Sequence, residues 1–247
     1  MNPADYQANT PYARFGDMAI DAPADARKTF IKKTYIHLML AIYAFVAFEW
    51  LFFSMGLEKP ALQFLGTSRF AWFIVLGGFM GISYLANSWA MSSTSKGMQY
   101  AGLSLYVVGE ALIFVPLLAF ARFQTVNIQG TAIGVIPAAA ITTLVIFGGL
   151  TAFVLISKQD FSFLGAFLGL AGLSAMALIV VAMLFGLNIG IWFVWAMVVL
   201  ASGYILYDTS NVLYRYRTDQ YVAASLALFA SVALLFWYVL QLFMRRD

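Results

Sequence analysis

Residues 162–208 read SFLGAFLGLAGLSAMALIVVAMLFGLNIGIWFVWAMVVLASGYILYD: two long apolar runs, broken by GLNIG at 186–190 and closed by an aspartate. Each run has the length of a membrane-spanning helix, which needs about 20 apolar residues. Neither alternates apolar with polar residues, as a strand of a membrane barrel would. Hydrocarbon offers no partner for backbone N–H and C=O groups, so a continuous apolar run must satisfy them within a helix. The uncharged turn between the runs predicts two antiparallel, closely paired helices.

The same reading extends along the chain. Apolar runs of spanning length lie at about 35–56, 70–91, 99–121, 132–156, 162–186, 189–208 and 221–243, which predicts an all-α integral membrane protein, a bundle of seven transmembrane helices. The composition agrees: 63% of the 247 residues are hydrophobic and 10% charged, far from the balance of a soluble domain. Residues 1–33 are polar and of mixed charge, and read as a flexible tail rather than a signal peptide; residues 34–247 form the membrane domain. Pro116 and Pro137 are expected to kink the third and fourth helices.

Arg14, Arg27, Lys28, Lys32, Lys33, Lys96, Lys158, Arg215 and Arg217 lie on the tail side, nine basic residues. Lys59, Arg69, Arg122, Arg245 and Arg246 lie on the other, five. The asymmetry predicts a cytoplasmic N-terminus. The net charge of +3 comes from tails and loops, so the partner it implies is the lipid bilayer and not a nucleic acid.

Three acids fall within or at the edge of the runs: Glu49, Glu110 and Asp208. A charge in the membrane is costly, from about 2.5 to well over 10 kcal/mol at mid-bilayer. No Lys or Arg lies inside a run to neutralise one. Such acids must be neutral, hydrated or met by a cation from outside, which favours a cation or proton path over a fixed ion pair. Tyr204, Asp208 and Asn211 are spaced by four and three and share one helix face. Ser231, Tyr238 and Gln241 make a second polar stripe. The single histidine, His37, makes no metal site by itself and is read as an interfacial residue.

Enzyme chemistry finds no foothold. There is no cysteine, no histidine pair, no Gly-x-Ser-x-Gly elbow and no lysine in the last run for a Schiff base. A pair of intramembrane catalytic aspartates is also missing.

Two stretches, SKQDFSFLGAFL at 157–168 and GYILYDTSNVLY at 203–214, together with FIKKTYIHLMLA at 30–41, resemble the Bax inhibitor-1 family in its bacterial branch. The resemblance implies a multi-pass protein of the bacterial inner membrane, of a kind several of whose members are described as proton-sensitive calcium leaks. It implies that Asp208 stands for the helix-six acid of a paired carboxylate. The second acid of that pair falls on Ser231, in LFAS, and the arginine some members carry in helix two has no counterpart in WFIVLGGFMGISYLANSW. A two-carboxylate latch is therefore not available. Asp208, with Ser231, Asn211 or Tyr204 nearby, is expected to offer calcium a weak, transient oxygen site and no resident cofactor. Glu110 and Glu49 are further candidates for the ion path or its gating. The alternative is a non-conducting protein that modulates a membrane partner such as a quality-control protease, docking through its N-terminal tail.

Overall fold

The computed structural model describes residues 18–68, 70–92, 95–128 and 131–245. Among the described residues eight helices and one hairpin are formed: α1 (Ala24–Ser54), α2 (Glu58–Thr67), α3 (Ala71–Ala90), α4 (Lys96–Ala121), β1 (Thr125–Ile128), β2 (Thr131–Gly134), α5 (Val135–Ser157), α6 (Leu164–Phe185), α7 (Ile191–Tyr214) and α8 (Tyr221–Met244). All but α2 are long and apolar enough to cross a membrane, seven among the described residues.

The last span is the core of the bundle. α8 packs against α1, α3, α4, α5 and α7, and its Leu226, Leu228, Leu235 and Leu240 are fully enclosed. By contrast, α3 and α6 have few buried residues and lie at the periphery, with Phe167, Leu170 and Leu173 of α6 facing outward. In hydrocarbon such exposure is not penalised, because association between spans rests on close packing and not on escape from water. The closest packing uses a missing side chain: a Cβ on Gly102 of α4 would lie 2.5 Å from the Ala86 carbonyl oxygen of α3.

Several sequence boundaries move. The first helix begins at Ala24 and not near residue 35. Residues 18–33, assigned to a flexible tail, are packed: Met18 bridges Arg217, the Ala19 N–H donates to the Tyr216 carbonyl (2.9 Å), and Arg27 Nε donates to the Ala19 carbonyl (2.7 Å). The rest of that tail, 1–17, lies outside the described residues. The expected fourth run, 132–156, contains the strand β2 before its helix starts at Val135. Pro137 therefore sits in a first helical turn, where a missing N–H costs nothing, and not at a kink. Pro116 does lie inside α4.

The sixth run, 189–208, extends further than expected. α7 continues to Tyr214, so Asp208 is not at a helix end but inside the helix, buried. The turn after α6 is made by Gly186 in the left-handed region, φ 67°. The close approaches of α6 to α7 nonetheless lie at the other end, where Tyr207 passes over Gly165, Leu168 packs over Gly203 and Tyr204 passes over Gly172. Beyond them Met176, Ile179 and Met183 of α6 line open space instead of packing on α7.

Candidate functional site: acids along stacked cavities

Three cavities stack along the bundle beside α7 and α8. On the N-terminal side, one of about 360 Å³ is lined by Met91, Ser162, Tyr207, Asn211, Arg215, Tyr216 and Gln220. The middle one, about 430 Å³, has Asp208, Ser231, Glu110, Tyr106, Tyr204, Tyr207, Asn87 and Tyr238 in its wall. The third, about 530 Å³, reaches Trp72, Gln241 and Arg245 near the opposite side. Glu110, Phe79, Met176, Ile179, Leu234 and Tyr238 line both the middle and the third, and Tyr207 lines both the middle and the first. The arrangement holds because α6 leans on α7 only at its N-terminal end and leaves the space beyond unfilled.

Asp208 faces the central helix. Ser231 Oγ donates to its Oδ2 at 2.5 Å, and both residues are buried. The position that the resemblance assigns to a second acid is therefore the one that touches Asp208. Glu110 lies on α4, 7% exposed, and its Oε2 has no partner among the described residues. Tyr106, one turn earlier on the same helix, lines the same space. Tyr204 also lines it, but its hydroxyl donates to the Leu168 carbonyl at 2.8 Å and so ties α7 to α6. The shared helix face of Tyr204, Asp208 and Asn211 is divided: the first two border the middle cavity, and Asn211 borders the N-terminal one.

Glu49 is elsewhere. It lines a separate cavity between α1, α4, α5 and α8. An aromatic wall stands between the two spaces: Phe45 meets Phe114 at 5.1 Å and Phe229 at 6.1 Å, and Phe229 meets Tyr106 at 6.1 Å between ring centroids. Of the residues read as ion-path candidates, Asp208, Glu110, Ser231 and Tyr204 are brought together, Asn211 adjoins them and Glu49 does not. His37, near the N-terminal end of α1, has its Nδ1 2.7 Å from the Lys33 carbonyl and its Nε2 3.0 Å from the Tyr100 hydroxyl.

Sequence reasoning missed a strap closing the N-terminal end. The segment after α5 turns back onto α7, where Asp160 Oδ1 accepts from the Ser162 N–H (2.8 Å) and from Ser210 Oγ (3.1 Å). Ser210 Oγ in turn accepts from the Phe161 N–H at 2.8 Å. Arg215 donates to Ser162 Oγ at 2.8 Å, and the Tyr214 hydroxyl donates to the Lys158 carbonyl. The Ser162 N–H, first, holds the Asp160 carboxyl below the usual carboxylate range, with Ser210 and Arg215 helping. The two signature stretches, 157–168 and 203–214, are thus one contact surface.

Among the described residues no group of three or more His, Cys, Asp or Glu is placed to hold a metal. A resident calcium site, with six to eight oxygens, is not what Asp208 and Ser231 make.

The match to known proteins covers the same region. The chain is 27% identical over 256 residues to Bax inhibitor 1 of Schizosaccharomyces pombe, across 96% of this chain and 89% of the yeast protein. It is 28% identical over 179 residues to a Pseudomonas aeruginosa protein, covering 69% and 73% of the two chains. Protein lifeguard 4 of Mus musculus is 36% identical over 105 residues, 42% of this chain and 44% of the mouse protein. The family model described as inhibitor of apoptosis-promoting Bax1 matches residues 27–247, the whole of the helical bundle apart from the first turn of α1, and the chain therefore belongs to the Bax inhibitor-1 family of membrane proteins.

Proposed function

We propose that this protein is a passive cation leak, with calcium as its cargo, and that the ion moves through the stacked cavities past Glu110 and Asp208. The observation that carries the reading is the placement of two buried acids, Glu110 and Asp208, in the wall of the middle cavity, with no Lys or Arg among the described residues that line it. A cation entering this space meets carboxylate, hydroxyl and phenol oxygens, too few to trap it, and a weak site suits conduction. Tyr207, in the wall between the N-terminal and middle cavities, is the constriction; the strap at 158–163 covers the N-terminal end. Protonation of Asp208 removes the charge that attracts the ion, which makes the leak pH-modulated. With Ser231 in place of a second acid the modulation is shallow. The protein catalyses no reaction, sits in a bacterial inner membrane and keeps its N-terminus in the cytoplasm.

A second reading is a non-conducting modulator of a membrane partner such as a quality-control protease, reached through the N-terminal segment. Met18 and Ala19 are held against Arg217 and Tyr216, so a truncation that leaves this contact intact removes residues 1–17. Calcium uptake into proteoliposomes by the wild type, Asp208→Asn and a chain lacking residues 1–17 tests the two. A leak gives uptake above empty liposomes that changes with D208N and survives the truncation. No uptake by any of the folded proteins contradicts the leak and leaves the modulator as the surviving reading.

A further inference from the structure

The cavity that holds Glu49 has a chemistry of its own. It measures about 300 Å³, at the low end of small-molecule sites. Its wall is apolar except for two side chains, Glu49 of α1 and Thr143 of α5. Glu49 is 7% exposed, and neither of its carboxylate oxygens has a partner among the described residues. Thr143 is 2% exposed, and its hydroxyl has none either. The second fact is unusual for a helix: the neighbouring Thr142 gives its hydroxyl to the Ala138 carbonyl at 2.8 Å, and Thr34 gives its own to Phe30 at 3.0 Å. Burial of a polar group without a partner costs about 1–3 kcal/mol, and here two such groups border one space.

The mouth of the cavity opens sideways. Val46 and Leu144, both in its wall, are 57% and 53% exposed, on the outer faces of two spanning helices. Whatever enters comes from the hydrocarbon and is therefore apolar over most of its surface. Glu49 lies five residues before the end of α1, about 8 Å below it by helical rise. That depth lets an amphiphile keep its head near the membrane surface region while its chain lies in the apolar wall.

We propose that this cavity is a binding site for a lipid-soluble amine, held as its ammonium by Glu49 with Thr143 as a second acceptor. An acid without a counter-ion in apolar surroundings is complemented best by a cation that brings its own hydrogen-bond donors. An ammonium has three donors, enough for both Glu49 oxygens and the Thr143 hydroxyl. The site is independent of the stacked cavities, from which the Phe45, Phe114 and Phe229 rings separate it.

The test is equilibrium binding of radiolabelled dodecylamine to the full chain in lipid nanodiscs, with empty nanodiscs as the blank and dodecanol as competitor. Wild type is expected to bind saturably, one molecule per chain, with dodecanol displacing it poorly. Glu49→Gln keeps the shape and removes the charge; it is expected to weaken binding about tenfold or more, equivalent to about 1.4 kcal/mol. Thr143→Val is expected to weaken it several-fold. Ala140→Phe fills the cavity with the acid left in place and is expected to abolish binding, which separates occupancy of this cavity from a loss caused by altered folding in E49Q. Binding to wild type no greater than to empty nanodiscs overturns the proposal. So does unchanged affinity in E49Q, or dodecanol competing as well as unlabelled dodecylamine.

Discussion

The contact of Ser231 with Asp208 turns the departure from the family pattern into a structural statement. A hydroxyl donates where the resemblance puts a second carboxylate, so one acid carries the charge alone. Restoring the acid tests this: in Ser231→Asp two carboxyl groups within hydrogen-bonding distance titrate as a coupled pair. Calcium uptake by S231D is expected to depend more steeply on pH than that of the wild type, and equal slopes would contradict the assigned contact. Tyr207 gives a second residue-scale expectation. Its ring lies between two cavities and against Gly165, so Tyr207→Ala should raise calcium uptake several-fold; unchanged or lower uptake would remove it as the constriction. Asp208 itself was legible from the sequence, because a lone acid in an apolar run stands out. Tyr207 was not, because a tyrosine near a membrane surface region is ordinary and only packing shows what it divides.

At the scale of helices, Gly102 sets how closely α4 meets α3. A methyl there would press on the backbone of Ala86 and Ala90 at 2.5 and 2.6 Å, atoms that move only if a helix moves. Gly102→Ala is expected to destabilise by about 1–3 kcal/mol, measured as a lower Tm in detergent; an unchanged Tm would mean that the helices separate freely. The strap at Asp160 carries a pH signature. Its carboxyl titrates lower in the folded protein than the ordinary value of about 3.9 in an unfolded chain, so its stabilisation is present above that value and is lost as pH falls through the folded one. The Tm difference between wild type and Asp160→Asn should therefore be full at neutral pH and close below about pH 4; a difference that widens in acid would reverse the sign. The spans were readable because a run of about twenty apolar residues has few alternatives in lipid. The hairpin and α2 were not, since β2 is continuous with the apolar run of α5 and α2 is only ten residues long.

For the whole molecule, the decisive feature is asymmetry around α8. Five spans pack on it, while α6 touches α7 near one end and leaves the remainder open. No periodicity in the sequence encodes that opening, since α6 is as apolar as its neighbours; it arises where Tyr204 and Tyr207 rest on Gly172 and Gly165. The three buried acids of the spans, Glu49 on one side of the aromatic wall and Glu110 and Asp208 on the other, likewise look alike in sequence and differ in which space they face. The cation route proposed above runs through the stacked cavities, and the absence of cysteine allows that route to be probed at one point. Ala227, in the wall of the middle cavity, replaced by Cys and reacted with a water-borne charged thiol reagent during calcium uptake, is the direct measurement. Uptake that is present in A227C and falls when the reagent is added, with the cysteine-free chain unaffected, is the result expected of a path past Asp208. Uptake that is absent, or that persists unchanged after the cysteine has reacted, would contradict it.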